Sequence, residues 1–369
     1  MVKNLIVILL DGARWDRVDT SVDFSEIKQK GVFLNNVSTA LPYTIGSVNA
    51  CFSGLYGKEN GIDAYYKMFR LKESIKTLPE LLHENGYFTA CDLLSERIIH
   101  KKGFDIHQAH DEYKDDLSER HPKFLKQCIE KANGKPLFLF LHFTRIHTVT
   151  VSEVLKKYEW DDEEFYKRKD ENMKNYDKVF EEAGKYSKKI LSEIDKSLED
   201  TVVIFFSDHG TGVGERFGER NYGSFTFEET IRTFYLFLHK QFNTKTSSSL
   251  RESIDILPTL MELLEIKLEK KLPGESFSKF ILNNNEKLQN KKYTFSETGA
   301  LHGPYPSPKE PNVFCIKNSK EKLIYYQTPQ KWEYFDLEKD PNELENKFDE
   351  NDAKIIDLKD ILTNWMNRN

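Results

Sequence analysis

Ile6-Val7-Ile8-Leu9-Leu10-Asp11-Gly12-Ala13-Arg14 decides how this chain is read. An unbroken apolar run suits a strand covered on both faces, and Asp-Gly turns the chain sharply at its end. In an open parallel α/β sheet, ligands gather outside the carboxyl ends of the strands, where Asp11 would sit. One such strand leaves a plainer reading, in which Asp11 caps the next helix. Recurrence decides between the two. Val202-Val203-Ile204-Phe205-Phe206 runs into Ser207-Asp208-His209-Gly210, and Leu137-Phe138-Leu139-Phe140-Leu141 runs into His142. Three buried strands ending in Asp, Asp-His and His imply one polar, metal-binding rim.

The chain has 369 residues, 38% hydrophobic and 31% charged, enough for one large α/β domain with a smaller appendage. Its net charge of −6 argues against nucleic acid as a partner. Cys51, Cys91, Cys128 and Cys315 lie far apart with no CxxC spacing, which predicts reduced thiols rather than a disulfide framework. The first apolar run is cut by Asp11 and lacks a cleavage region, so no export signal is read. No stretch reaches the ~20 apolar residues of a membrane span. A cytoplasmic location is the expectation, and oligomeric state is not legible.

Residues 24–31 read as a short helix closed by glycine, and residues 32–37 as a second strand. Pro42 favours an extended entry into a helix beginning near Thr44. There, free N–H groups and the helix dipole would favour an anion, although threonine is also an ordinary N-cap. A helix over 74–85, a strand over 87–94 and a helix over 123–132 lead to the strand at 137. Val179, Ala183, Tyr186, Ile190, Ile194 and Leu198 recur at helical spacing, predicting a helix over 176–198 packed on the sheet. Residues 158–175 are more polar and read as solvated surface, with a helical excursion over the rim as the alternative. A glycine-rich loop over 210–223, a strand over 234–238 and a helix over 254–264 follow. After the polar stretch 283–290, strands over 313–317, 322–327 and 332–335 and a helix over 353–366 predict a smaller antiparallel unit. The expected division is a catalytic domain, 1–285, with a C-terminal subdomain, 286–369, packed on it.

These residues resemble the sulfatase branch of the alkaline phosphatase superfamily. Asp11-Gly12-Ala13-Arg14-Trp15-Asp16 is similar to its first metal-ligand motif, and Ser207-Asp208-His209-Gly210 to its S-D-H-G motif. Ser53-Gly54-Leu55-Tyr56 with Gly61-Ile62 resembles the segment after its nucleophile, and the loop from His142 to His147 the one supplying a mid-chain histidine. The stretch from Trp332 to Glu343 resembles a carboxy-terminal E-L-Y-D-L-x-x-D-P-x-E motif. The resemblance implies a mostly parallel central sheet flanked by helices, with a small C-terminal α+β subdomain on an antiparallel sheet. It also implies one divalent cation held by Asp11, Asp208 and His209, with the Thr44 oxygen as a fourth ligand. Zn²⁺ or Mn²⁺ suits that donor set best, with Ca²⁺ or Mg²⁺ possible.

Two departures bear on chemistry. The family's C/S-x-P-x-R, whose first residue becomes formylglycine, is matched here by Thr44-Ile45-Gly46-Ser47-Val48. Threonine cannot yield that aldehyde, but a phosphorylated threonine is open to attack at phosphorus. Two-metal relatives carry Asp-x-x-x-His in the mid-chain loop, whereas Phe143 precedes His147 here. The expected activity is therefore hydrolysis or transfer of a phosphate or phosphonate ester through Thr44, with His147 binding the anion or protonating the leaving oxygen. A sugar phosphate, nucleotide or phosphonate ester would be the substrate. His302 and Asn49 are candidate substrate contacts; His142 is as readily structural, and Arg14 and Asp16 would brace the metal loop. The alternatives are a sulfatase not using formylglycine and a non-catalytic relative binding an anion or glycan.

Overall fold

The apolar run that opens the chain becomes β1 (Asn4–Leu10), with all seven of its residues buried, at the centre of a mixed sheet. The computed structural model describes residues 3–68, 70–150, 160–283 and 285–368. Among these, the sheet contains β2 (Val32–Ser38), β3 (Phe88–Leu93), β4 (Ile106–Ala109), β5 (Leu137–Phe143), β6 (Thr201–Phe206), β7 (Arg232–Leu238) and β8 (Lys245–Ser247) besides β1. The order is β4-β3-β5-β1-β6-β7-β2-β8, and β9 (Arg251–Glu252) also pairs with β2. Only β7 runs antiparallel to its neighbours, β6 and β2. Parallel pairing puts β1 between β5 and β6 in matched register, Leu9 opposite both His142 and Phe206. The three strands whose sequences end in Asp11, His142 and Ser207-Asp208-His209 are thus adjacent and finish on one edge.

Covering both faces explains the uniform hydrophobicity of these strands. Leu5, Val7 and Leu9 pack in one core with Val48, Phe52, Leu257 and Met261. Ile6, Ile8 and Leu10 pack in the other with Phe24, Leu125, Phe180 and Ile190. The second core is closed by a 29-residue helix, Lys169–Ser197, and by Leu117–Ala132. The long helix starts seven residues before the expected 176, and a short helix, Glu163–Lys167, precedes it. The preferred reading of 158–175 as solvated surface is therefore corrected over its described part, which follows the helical alternative. Phe165 is fully buried, which the local polarity hid. Residues 158 and 159 lie outside the described residues.

A second sheet is antiparallel: β10 (Thr294–Thr298), β11 (Val313–Lys317), β12 (Glu321–Tyr326) and β13 (Lys331–Asp336), in sequence order. Its core is not separate. Phe314, Ile316, Leu323 and Trp365 pack with Ala40, Leu41, Tyr43 and Tyr56 from the segment around the Thr44 helix. Among the described residues, no helix is long and apolar enough to cross a membrane.

Candidate active site

Each candidate ligand stands just past a strand of the central sheet. The N–H of Asp11 donates to the Phe143 carbonyl at 3.1 Å, tying the end of β1 to β5. Gly12 takes φ +70°, a left-handed conformation that glycine adopts without penalty, and its N–H donates to Asp208 Oδ1 at 3.2 Å. His209 N–H donates to that same oxygen at 3.0 Å. Gly210 has a different reason: a Cβ there would meet the Glu229 carbonyl oxygen at 2.0 Å. The helix Thr44–Ser53 is pinned to this loop by Ser47, whose hydroxyl donates to the Asp208 carbonyl at 2.8 Å.

Asp11, Asp208 and His209 are all buried, with donor atoms within 4.8 Å of one another. His209 Nε2 lies 3.6 Å from Asp11 Oδ1 and 3.3 Å from Asp208 Oδ2. Its other nitrogen, Nδ1, is 2.8 Å from the Gly210 carbonyl, which can only accept, so Nδ1 carries the hydrogen and Nε2 keeps its lone pair. Asp11 Oδ1 and Asp208 Oδ2 are buried without a hydrogen-bond partner among the described residues. Two buried, unpartnered carboxylate oxygens facing an imidazole lone pair fit a divalent cation and little else. Burial opposes the Asp11 charge, but His147 and the hydrogen bond from His142 outweigh it and hold its pKa well below the usual range. Burial, added to by the charge of Asp11, pushes Asp208 up.

Thr44 occupies the first position of its helix, and Tyr43 is the residue before it, so Thr44 is not spent as an N-cap. Its Oγ1 lies 3.4 Å from Asp11 Oδ2 and 3.3 Å from His209 Nε2. No side chain caps the helix, leaving first-turn N–H groups directed outward beside that oxygen. His147, on the short helix Arg145–Val149, brings Nδ1 to 4.0 Å from Asp11 Oδ1. Asp11, Thr44, His147, Asp208 and His209 therefore converge.

His302 and Asn49 do not join them in the same way. His302 is exposed on the loop after β10, where its backbone carbonyl accepts from Ser224 Oγ at 3.4 Å. Asn49, expected at the substrate, is 1% exposed and donates its amide to the Ile45 and Ile98 carbonyls, both at 2.8 Å. That is a packing role, set by a position on the inner face of the helix.

Sequence reasoning missed the aromatic wall. The Tyr222 ring lies 3.9 Å from that of His209, and its hydroxyl is 3.4 Å from His147 Nδ1. Tyr43 and Tyr65 stack at 4.4 Å beside it. Nothing in Asn221-Tyr222-Gly223 marked that tyrosine within a glycine-rich loop. His142 was left between roles, and the structure gives it one. The Leu94 N–H donates to Nδ1, so Nε2 carries the hydrogen and donates to Asp11 Oδ2 at 2.8 Å. Arg14 braces the loop, pairing with Asp16 at 2.9 Å and with Glu215. Phe143, four residues before His147, is buried and stacks on Tyr186 at 4.3 Å, so it brings no ligand for a second ion at this rim.

The sulfatase family model matches residues 3–266. The chain belongs to the sulfatase family. A model described as N-sulphoglucosamine sulphohydrolase, C-terminal, matches residues 219–368 of this sulfatase-family protein. An arylsulfatase of Clostridium perfringens is 28% identical over 169 residues, 44% of this chain and 32% of the relative. An N-acetylglucosamine-6-O-sulfatase of Bacteroides thetaiotaomicron is 26% identical over 170 residues, 43% of this chain and 29% of the relative. The matched stretch is thus about a third of the length of these curated relatives. A 2-O GAG sulfatase structure superposes with TM-score 0.77 at 17% identity, covering 99% of this chain and 92% of that one. A structure in complex with its substrate D-glucosamine-2-N,6-O-disulfate gives TM-score 0.75 at 17% identity, with 99% and 98% coverage. At such identities the likeness is one of fold.

Proposed function

We propose that this chain is a metal-dependent hydrolase that cleaves a phosphate or phosphonate ester through an oxygen nucleophile, Thr44. The observation that carries the reading is the Thr44 hydroxyl, first in its helix, facing the Asp11 and His209 donor atoms. The cation would be held by Asp11 Oδ1, Asp208 Oδ2 and His209 Nε2, with Zn²⁺ or Mn²⁺ favoured by two carboxylates and an imidazole. Bound there, it supplies Lewis-acid stabilisation of an ionised hydroxyl and of the ester oxygens.

The protein's own groups do the rest. The first-turn N–H groups of the Thr44 helix donate to the transferring group. Thr44 Oγ1, its proton given up to solvent, attacks phosphorus as the ester bond breaks, and the leaving oxygen takes a proton from His147, which stands beside the Tyr222 hydroxyl and is reprotonated from solvent. Water then attacks the phosphorus held on Thr44, restoring the hydroxyl and releasing the anion.

The names of the relatives favour a second reading, hydrolysis of a sulfuric ester without formylglycine. On that reading sulfur takes the place of phosphorus in the same site, and a sulfated sugar is the substrate class. The threonine weighs for phosphorus and the relatives for sulfur. An aryl sulfate, an activated phosphodiester and a phosphomonoester, each assayed with the Zn²⁺- or Mn²⁺-loaded enzyme, separate them. Turnover of a phosphate ester, with none of the aryl sulfate, is the expected result. Turnover of the aryl sulfate alone establishes the second reading, and no turnover of any ester points to a non-catalytic relative.

A further inference from the structure

A second buried cluster stands apart from the rim just described. Asp92 in β3, His110 just after β4, and His121 on the helix Leu117–Ala132 are 0%, 5% and 0% exposed, with donor atoms within 4.8 Å of one another. His121 Nε2 is buried with no hydrogen-bond partner among the described residues. An orphaned imidazole nitrogen in a dry interior is costly enough to demand an occupant.

The outer atom of each of the three side chains is already anchored. Asp92 Oδ2 accepts from Arg120 Nε at 2.6 Å and from Gln108 Nε2 at 2.9 Å, leaving Oδ1 turned to the cluster. His110 Nδ1 donates to that Oδ1 at 2.9 Å, a hydrogen that a bound cation would displace, while its Nε2 lies 3.3 Å from Thr144 Oγ1. His121 Nδ1 lies 2.5 Å from the Tyr186 hydroxyl, leaving Nε2 without a partner. A hydroxyl or amide holding the far atom while the near one converges is how metal-binding imidazoles and carboxylates are oriented.

We propose that Asp92 Oδ1, His110 Nδ1 and His121 Nε2 bind a second divalent cation of the zinc class. Two imidazoles and one carboxylate suit such a borderline ion rather than Ca²⁺ or Mg²⁺. Gln108 and Arg120, which hold Asp92, also line a surface cleft with Asp115, Asp116 and Glu119, and these carboxylates favour cation entry. The site ties β3, the end of β4 and the helix Leu117–Ala132 together. Through Thr144 it also steadies the start of the short helix that carries His147. It is a positioning site, separated from the first cluster by His142, whose ring is 6.3 Å from that of His110.

The test is metal stoichiometry, which does not depend on activity. Apo protein is reloaded with Zn²⁺, freed of excess and analysed for bound metal, as wild type, Asp208→Asn and His121→Ala. Two ions are expected in the wild type and one in each variant. The Co²⁺-loaded Asp208→Asn protein should keep a tetrahedral visible spectrum that is lost when His121→Ala is added. Equal zinc content in wild type and His121→Ala overturns the proposal, whatever becomes of the rim site. Should His121→Ala fail to fold, anomalous diffraction at the zinc edge from zinc-soaked wild-type crystals decides. A peak between Asp92 and His121 supports the site, and a water without anomalous signal there removes it.

Discussion

On the proposed reading Thr44 is the side chain on which the chemistry turns, and its position was legible because Pro42 and the spacing to Ser53-Gly54 placed a helix start. Its freedom from capping was not legible. That depends on Tyr43 taking the preceding position and on the packing that aims the hydroxyl at Asp11 and His209. Thr44→Ala should lower kcat/KM by about 10³-fold or more with an unchanged melting temperature, since the side chain serves no cap. His142 acts through Asp11. His142→Ala removes the hydrogen bond to Asp11 Oδ2 and should weaken the rim cation by roughly 10–100-fold, read by competition with a chelator, while Thr44→Ala leaves that affinity far less changed. The convergence of Asp11, Asp208 and His209 was legible because a carboxylate or imidazole ending a buried strand has few structural uses. Tyr222 did not, because a tyrosine in a loop has many.

Among the elements, the buried strands were the most readable, since continuous apolar runs mark strands covered on both faces. β4 and β8 were missed because they are short edge strands with mixed polarity. The start of the long helix was misplaced because its first turns are polar outside while Phe165 and Asn172 fill the interior behind them. The loop between β6 and β7 carries a prediction of its own. Burial, helped by the charge of Glu229, pushes the Glu219 carboxyl up to about 8 from 4.5. The folded protein therefore holds a proton that the unfolded chain releases, and stability is lost as pH rises from about 4.5 towards 8. Glu219→Gln keeps an acceptor for the Ser224 and Phe225 N–H groups and removes the titration. Denaturant midpoints measured across that window should fall less steeply in the variant than in the wild type; parallel profiles would show that Glu219 is ionised throughout.

At the scale of the whole molecule, the motif near the C-terminus turns out to be a tie rather than a catalytic element. Glu343 is buried against Lys322 at 2.7 Å and accepts from the Glu228 N–H at 2.7 Å, while Glu228 also meets Lys317 at 2.7 Å. This fully buried network joins the second sheet to the loop that leaves the active site. Lys322→Ala strands the buried Glu343 carboxylate and takes one of two lysines from Glu228, and should cost about 3–5 kcal/mol. Because Trp365, Phe314 and Leu41 share one core, calorimetry should show a single unfolding transition that shifts as a unit; two separate transitions would mean that the sheets fold independently. Sequence pattern foresaw a second sheet packed on the first domain but not which residues share the interior, which depends on contacts between residues hundreds of positions apart.

The central claim is that the Thr44 oxygen carries the transferred group. Rapid acid quenching of the metal-loaded enzyme during turnover, followed by peptide mass mapping, tests it directly. The account predicts a transient phosphoryl adduct on Thr44, absent from Thr44→Ala. Steady turnover with Thr44 unmodified at every quench time, and undiminished in Thr44→Ala, would contradict it.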